Sequence, residues 1–408
     1  MQHSTYLIVG AGHAGIVAAR KIRSIRPEDS ILLIGEENML PYERPALSKE
    51  VLSGHRDVSN LVIRSAEALE SERLDVLLDD RVEAITPDRK MATTKSGRHI
   101  SYEKLLIATG SRPRHLPLEG LFGDRVHYLR TASDALRLRA HLGPKTRLLI
   151  IGAGFVGLEV AATARAHIGC DVTVLEAGPH ILGRGAPDAL RQVLSGLHRL
   201  SGVNILTHTT VAGVSEGDGS SMAVMTAGGA VHTCDVILVC IGAVPNEELA
   251  RDAGIATDGG ILTDAFGRTD LPDIWAAGEV ARHRVPFLDA PVRFESWQMA
   301  QTQAAIVGAN IAGETRPITY VPWFWTDQFG HNFQLLGELS AQADVHVLRG
   351  NGELQATHFY HIGGQLVGAL CIDDGKHVPP IRRALEKGQS IDLERLSDRS
   401  TKLAKAFL

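Results

Sequence analysis

Two glycine clusters are the part of this sequence best suited to chemistry. Gly10-Ala-Gly12-His-Ala-Gly15 follows the apolar run Tyr6-Leu-Ile-Val9, and Gly152-Ala-Gly154-Phe-Val156-Gly157 follows Leu148-Leu-Ile-Ile151, 142 residues later. Each run is short enough for a buried parallel strand, and each cluster leads into a helical pattern: Ile16, Ala19 and Ile22 in one, Leu158, Val160, Ala161 and Ala164 in the other. After a further apolar run comes an acid, Glu36 in the first half and Glu176 in the second. A third run in each half passes on to a glycine, Leu105 through Ala108 to Gly110 and Val236 to Gly242. A lone Gly-x-Gly-x-x-Gly is weak evidence. Strand, glycine turn, helix and acid in the same order twice form the dinucleotide fingerprint. The glycines permit a tight turn and close backbone approach, the helix N-terminus faces a pyrophosphate, and the acid accepts ribose hydroxyls. The chain is expected to bind two dinucleotides.

Those elements imply two doubly wound α/β units. Two nucleotide sites in one chain suggest redox chemistry, in which a hydride passes between a soluble nicotinamide and a second carrier, most simply a flavin. The loop Pro41-Tyr-Glu-Arg44-Pro-Ala-Leu-Ser-Lys49 brings two cations toward the first site. Lysine is mostly exposed, so a solvated loop lysine is the other reading of Lys49. Other chemistries find little support. The chain has 408 residues with 42 Lys and Arg against 47 Asp and Glu, a net charge of -5, which disfavours a general nucleic-acid role. Its longest stretch without polar residues, Leu148 to Leu158, falls well short of the roughly 18 residues of a membrane helix. No export signal opens the sequence, so a cytoplasmic protein is expected. The four cysteines form no Cys-x-x-Cys pair, which argues against a zinc ribbon, an iron-sulfur cluster of its own or a dithiol centre. His358 and His361 read as core or surface residues of one strand, and no metal site is expected.

Further segments carry a closer likeness: the Tyr42-Glu-Arg-Pro45 loop, Leu129-Arg130-Thr131, Gly242-Ala-Val-Pro245-Asn246, Trp275-Ala-Ala-Gly278-Glu279, Glu295-Ser-Trp297 and Pro322-Trp323-Phe-Trp325-Thr-Asp-Gln328. Over nearly its whole length the chain resembles the FAD-dependent NADH:ferredoxin reductases of cytochrome P450 and ring-hydroxylating dioxygenase systems. The resemblance implies two Rossmann-like domains, one for FAD and one for NAD, plus a C-terminal α+β domain that caps the flavin and offers part of the partner surface. The division would be 1–111 and 246–322 for FAD, 112–245 for NAD and 323–408 at the C-terminus. It assigns Gly10, Gly12, Ala14 and Gly15 to the FAD pyrophosphate, Glu36 to the adenosine ribose and Val82 to the adenine. Arg44, Lys49, Ala108, Gly110, Arg130, Gly278, Glu279, Trp297 and Trp325 would contact other parts of FAD. For NADH it implies Gly152, Gly154, Val156, Gly157, Glu159, Glu176, Arg184 and Gly242. Lys49 and Glu159 would be the catalytic pair beside the flavin and nicotinamide. As a plain acid near a helix N-terminus, Glu159 would need no function. Trp323 and Trp325 read equally well as core aromatics. Glu279 replaces the family's usual Asp, and Ala46 a frequent second proline. Glu176 favours NADH over NADPH, with His180 and Arg184 near enough to soften the preference.

The implied partner is a small 2Fe-2S ferredoxin, or a rubredoxin in its place, serving an oxygenase or a cytochrome P450. The reductase itself would be a monomer or homodimer. Two alternatives stay open. One is an NADH oxidase or a peroxide or disulfide reductase of the same superfamily, although the loop from Leu40 to Leu52 lacks the cysteine such enzymes place near the flavin. The other is a redox-sensing interaction protein resembling apoptosis-inducing factor.

Overall fold

Glycine decides where the first strand can turn into the first helix. In the computed structural model, which describes residues 2–117, 123–183, 186–218, 221–284, 291–339 and 343–408, β1 (Gln2–Val9) ends at Gly10 and α1 (His13–Ile25) starts three residues later. β1 is parallel both to β2 (Ile31–Ile34) and to β3 (His99–Ile107). Val9 lies level with Ile34 on one side and Ile107 on the other, and Ile107 with Ala276 of the strand Ile274–Ala276. The carboxyl ends of four strands thus line up, where ligands of open α/β sheets bind. The uninterrupted apolar runs follow from burial on both faces. Tyr6, Ile8, Ile31 and Leu33 enter one core layer; Leu7, Val9, Leu32 and Ile34 enter another.

This sheet belongs to a compact unit made of Met1–Glu43, Val58–Arg112 and Ala243–Tyr320. Its first helix packs on the helix Trp297–Ile311, and the contact is close because Gly308 is a glycine: a Cβ there would lie 2.8 Å from the Ala18 carbonyl oxygen.

The second unit comprises Arg44–Asp57, Pro113–Gly242 and Val321–Leu408. It repeats the pattern with β4 (Arg147–Ile151), α2 (Phe155–Thr163), β5 (Asp171–Leu175) and β6 (Val236–Val239), β4 again parallel to strands on both sides. α3 (Asp188–Leu200) follows β5. Beyond them, β7 (Trp323–Gln328) opens a five-stranded antiparallel sheet completed by the strands His331–Gly337, Asp344–Gly352, Gln355–Ile362 and Gln365–Ile372. The helix Val378–Glu386 begins just before the prolines, at a position where proline costs no hydrogen bond. Two dinucleotide-binding folds and a C-terminal α+β part are therefore present. Among the described residues, no helix is long and apolar enough to cross a membrane.

Candidate active site

The three glycines of the first fingerprint each answer a different steric demand. Gly10 has φ +118°, and a Cβ on it would lie 2.2 Å from the Ala108 carbonyl oxygen. A Cβ on Gly15 would lie 2.0 Å from the Gly10 carbonyl oxygen. At Gly12 a Cβ would meet nothing within 4 Å. The outer glycines allow the tight turn and the close helix–strand packing, while the middle one borders open space. Gly12 is also the N-cap of α1, which has no side-chain cap and no acid in its first turn. Its free amide groups and positive dipole end suit an anion, as the FAD pyrophosphate requires.

Two other predicted residues of this unit, Gly278 and Trp297, meet the start of α1. A Cβ on Gly278 would come within 2.9 Å of the Ala14 Cβ, and the Gly278 N–H donates to Gln303 Oε1 at 2.6 Å. The neighbouring Glu279 accepts from the Ser111 hydroxyl at 2.6 Å, which holds its longer side chain in place. The rings of His13 and Trp297, each the first residue of its helix, stack with centroids 4.3 Å apart, so two helix N-termini meet. Val82 is buried at the start of its strand. Gly110, at φ +66°, accepts the Asn246 N–H.

Glu36 differs from its expected counterpart by one residue. The Gly10 N–H bonds to the Ile34 carbonyl, and the Gly152 N–H to the Leu175 carbonyl, so Gly35 is the structural equivalent of Glu176. A side chain at position 35 is excluded because its Cβ would meet the Ala11 Cβ at 2.7 Å. The acid is displaced to position 36, where it is exposed and 3.7 Å from Arg81. The adjacent Glu37 is half-buried and accepts from the Tyr42 hydroxyl at 2.7 Å.

The second fingerprint repeats the steric pattern. Gly152 has φ +104° and faces the Cys240 carbonyl; Gly157 faces the Gly152 carbonyl; a Cβ on Gly154 would meet nothing within 4 Å. α2 likewise starts without a side-chain cap or a first-turn acid, and Val156 stands 44% exposed on that turn. Glu176 directly follows β5. Its Oε2 accepts from the Ala153 N–H at 2.8 Å and its Oε1 from the Gly178 N–H at 2.7 Å, which orients the carboxylate while leaving a lone pair on each oxygen. Gly242, at φ +102°, accepts the Arg114 N–H. Arg184 lies outside the described residues.

Within the same unit, the half-buried Lys49 forms an ion pair with the buried Glu159. Lys49 Nζ lies 2.7 Å from Glu159 Oε2, with side chains 14% and 8% exposed. Lys49 also donates to the Pro45 carbonyl at 3.0 Å, so it is not a solvated loop lysine. Glu159 is on the second turn of α2, beyond the first-turn positions that the dipole favours, and accepts further bonds from the hydroxyls of Ser48 at 2.6 Å and Thr326 at 2.7 Å. Helical spacing explains the meeting. Phe155, Glu159 and Thr163 share one face of α2, and contact Phe324, Thr326 and the Ser48 carbonyl respectively. Arg44 donates to the Arg130 carbonyl at 2.7 Å. Trp325 is half-buried, on the opposite side of β7 from Thr326. Sequence reasoning overlooked Ser48 and Thr326; the available signal was a Thr and a Gln two apart on a strand beside apolar neighbours.

Thiol chemistry is poorly supported. Burial pushes the Cys170 thiol up to about 11 and those of Cys234, Cys240 and Cys371 up to about 12, so none is a ready thiolate. Among the described residues, no cluster of three or more His, Cys, Asp or Glu could hold a metal.

Known families and solved structures match this chain over nearly its whole length. The family model described as pyridine nucleotide-disulphide oxidoreductase matches residues 4–304, and the one described as reductase C-terminal matches 323–407. The anthranilate 1,2-dioxygenase system ferredoxin–NAD(+) reductase component of Burkholderia cepacia is 37% identical over the full length of both chains. The ferredoxin reductase for the CYP199A2 system from Rhodopseudomonas palustris superposes with a TM-score of 0.93 at 32% identity, over 99% of this chain and 100% of that one. Putidaredoxin reductase, solved as a covalent complex with putidaredoxin, gives 0.91 at 31% identity, over 100% and 98%.

Proposed function

The chain belongs to the pyridine nucleotide-disulphide oxidoreductase family, in its ferredoxin–NAD(+) reductase branch, and from that premise we propose that it passes electrons from NADH through FAD to a small 2Fe-2S ferredoxin serving a ring-hydroxylating oxygenase or a cytochrome P450. The observation that carries this reading is the double cradle: in each half, two packed glycines flank one that opens on free space at an uncapped helix N-terminus. A disulfide or peroxide reductase would need a reactive thiol, and these thiols are held protonated by burial.

FAD, when bound, supplies the conversion of a two-electron donor into single electrons. The chain supplies binding, orientation and charge. Gly10, Gly12, Ala14 and Gly15 would hold the FAD pyrophosphate, Glu36 the ribose and Val82 the adenine. Arg44, Ala108, Gly110, Arg130, Gly278, Glu279, Trp297 and Trp325 would hold the remainder. Gly152, Gly154, Val156, Gly157 and Gly242 would seat NADH, with Glu176 offering its oriented carboxylate to the ribose hydroxyls. Lys49 would present its charge to the reacting rings while Glu159 fixes its position. On this reading residues 1–111 and 246–322 form the FAD domain, 112–245 the NAD domain and 323–408 the C-terminal domain. The reductase works in the cytoplasm, where NADH is supplied and four free cysteines stay reduced. It acts as a monomer or homodimer, and a rubredoxin would be the substitute acceptor.

The test is purification followed by heat release of the flavin and assay of cytochrome c reduction. FAD near one per chain, bleaching by NADH under anaerobic conditions, and cytochrome c reduction that depends on added 2Fe-2S ferredoxin are expected. FMN in place of FAD, or a flavin that NADH leaves oxidised, refutes the proposal.

A further inference from the structure

The hydroxyl that reaches Glu159 from β7 is itself the end of a longer chain of hydrogen bonds. Thr326 Oγ1 lies 3.1 Å from Gln328 Nε2, and Gln328 Oε1 lies 2.8 Å from His198 Nε2. Thr326, Gln328 and His198 are 0%, 2% and 0% exposed. The carboxylate sets the direction of the whole chain. Thr326 has one proton and gives it to Glu159, so its oxygen must accept from the Gln328 amide N–H. The Gln328 carbonyl then faces His198, which must carry its proton on Nε2. Burial lowers the basicity of His198, and its Nδ1 has no partner among the described residues, in keeping with a neutral ring of fixed tautomer.

Packing alone does not explain these residue types. His198 continues the buried positions Leu190 and Leu194 of α3 at four-residue spacing, where a third leucine would suffice. Thr326 and Gln328 follow Phe324 on one face of β7, and Phe324 packs on Phe155 with ring centroids 4.3 Å apart. Apolar side chains of similar shape would close this layer without any buried hydrogen bond to satisfy. What the polar chain provides is a donor aimed at one oxygen of Glu159, while Ser48 and Lys49 occupy the other.

We propose that Thr326, Gln328 and His198 are positioning residues for the Lys49–Glu159 pair, a one-way relay that holds the Glu159 carboxylate in a single rotamer against Lys49. Strand β7 thereby tunes the charge balance at the electron-transfer centre. This rests on the proposed placement of Lys49 and Glu159 beside the flavin.

The test uses the FAD-loaded full chain carrying Thr326→Val, Thr326→Ser, Gln328→Leu, His198→Leu or the double change Thr326→Val with His198→Leu, beside Glu159→Gln. Flavin midpoint potential is measured by chemical reductive titration, and flavin reduction by NADH in stopped flow. Thr326→Val is expected to move the potential to more positive values, in the direction of Glu159→Gln, and to slow reduction at saturating NADH about tenfold, with little change in half-saturation. Thr326→Ser restores both. Gln328→Leu moves them the same way and keeps the test decisive if Thr326→Val folds poorly. Adding His198→Leu to Thr326→Val should change nothing further, because a relay already cut at Thr326 has nothing left to transmit. An unchanged potential in both Thr326→Val and Gln328→Leu, or additive effects in the double variant, overturns the relay. The titration needs no NADH, so it decides the relay even if NADH fails to reduce the wild type, a result that would instead overturn the proposed function.

Discussion

Replacing Glu176 by alanine should collapse the coenzyme preference by an amount the geometry sets. The carboxylate is fixed by the Ala153 and Gly178 amides at 2.8 and 2.7 Å, so it reaches the ribose already oriented and loses little entropy on binding. A hydrogen bond from a ribose hydroxyl to a charged acceptor contributes about 1.5 to 3 kcal/mol. That corresponds to a preference of about tenfold to a hundredfold in kcat/KM, enlarged by repulsion between the carboxylate and a 2′-phosphate. In Glu176→Ala, kcat/KM for NADH should fall by about that factor while the value for NADPH holds or rises. FAD content should not change. Stability should fall by only about 1 to 2 kcal/mol, because water can reach the two amides at this half-buried site. The assay is ferricyanide reduction with each coenzyme, alongside urea unfolding. Equal use of NADPH and NADH by the wild type, or a ratio that Glu176→Ala leaves unmoved, refutes the assignment of Glu176 to the ribose.

Gly12→Leu should fold normally and lose FAD, because its side chain enters the space left open for the pyrophosphate; a yellow, FAD-replete variant would disprove that use of the space. Gly15→Ala should instead lose stability whatever the FAD level, since its Cβ would lie 2.0 Å from a carbonyl oxygen, and unfolding midpoints separate the two outcomes. Burial lowers His127 to about 4 and His283 to about 3, from an ordinary 6.5, so between those values and 6.5 the unfolded chain binds protons that the folded one refuses. Stability is therefore full above pH 6.5 and falls on acidification, by about 1.4 kcal/mol per pH unit for each histidine. His283→Asn should lower the slope of unfolding free energy against pH by one such increment, and an unaltered slope would show that the ring is not buried neutral.

The α/β architecture was legible because its signals are local. Apolar runs buried on both faces, glycines at three fixed offsets and a helical pattern after each cluster are all written within about 25 residues, and the same order occurs twice. Glu36 shows the limit of that reading. Counting from the first glycine makes it the partner of Glu176, yet hydrogen-bond register gives that place to Gly35, and only the contact with Ala11 explains why no acid can stand there. The Lys49–Glu159 pair was accessible only through family resemblance, since the two residues lie 110 apart in the chain. Ser48, Thr326, Gln328 and His198 were not singled out, because small polar residues and a histidine at a leucine position look ordinary until their partners are known.

The two copies of the nucleotide-binding unit diverge where the proposed chemistry differs. Two residues beyond the third glycine, α1 has Val17 and α2 has Glu159. A valine there needs only apolar neighbours. A buried carboxylate needs a countercharge and donors, or burial costs several kcal/mol. α2 cannot supply these from its own backbone, whose amides are committed to the helix. They come from two distant parts of the chain, Ser48 and Lys49 on the loop before Glu50 and Thr326 on β7. The first of these parts, residues Arg44–Asp57, belongs to the second unit although its neighbours on both sides belong to the first. One acid on a repeated helix is thus satisfied by donors from two distant chain segments, a demand that the valine at the matching place in α1 never makes.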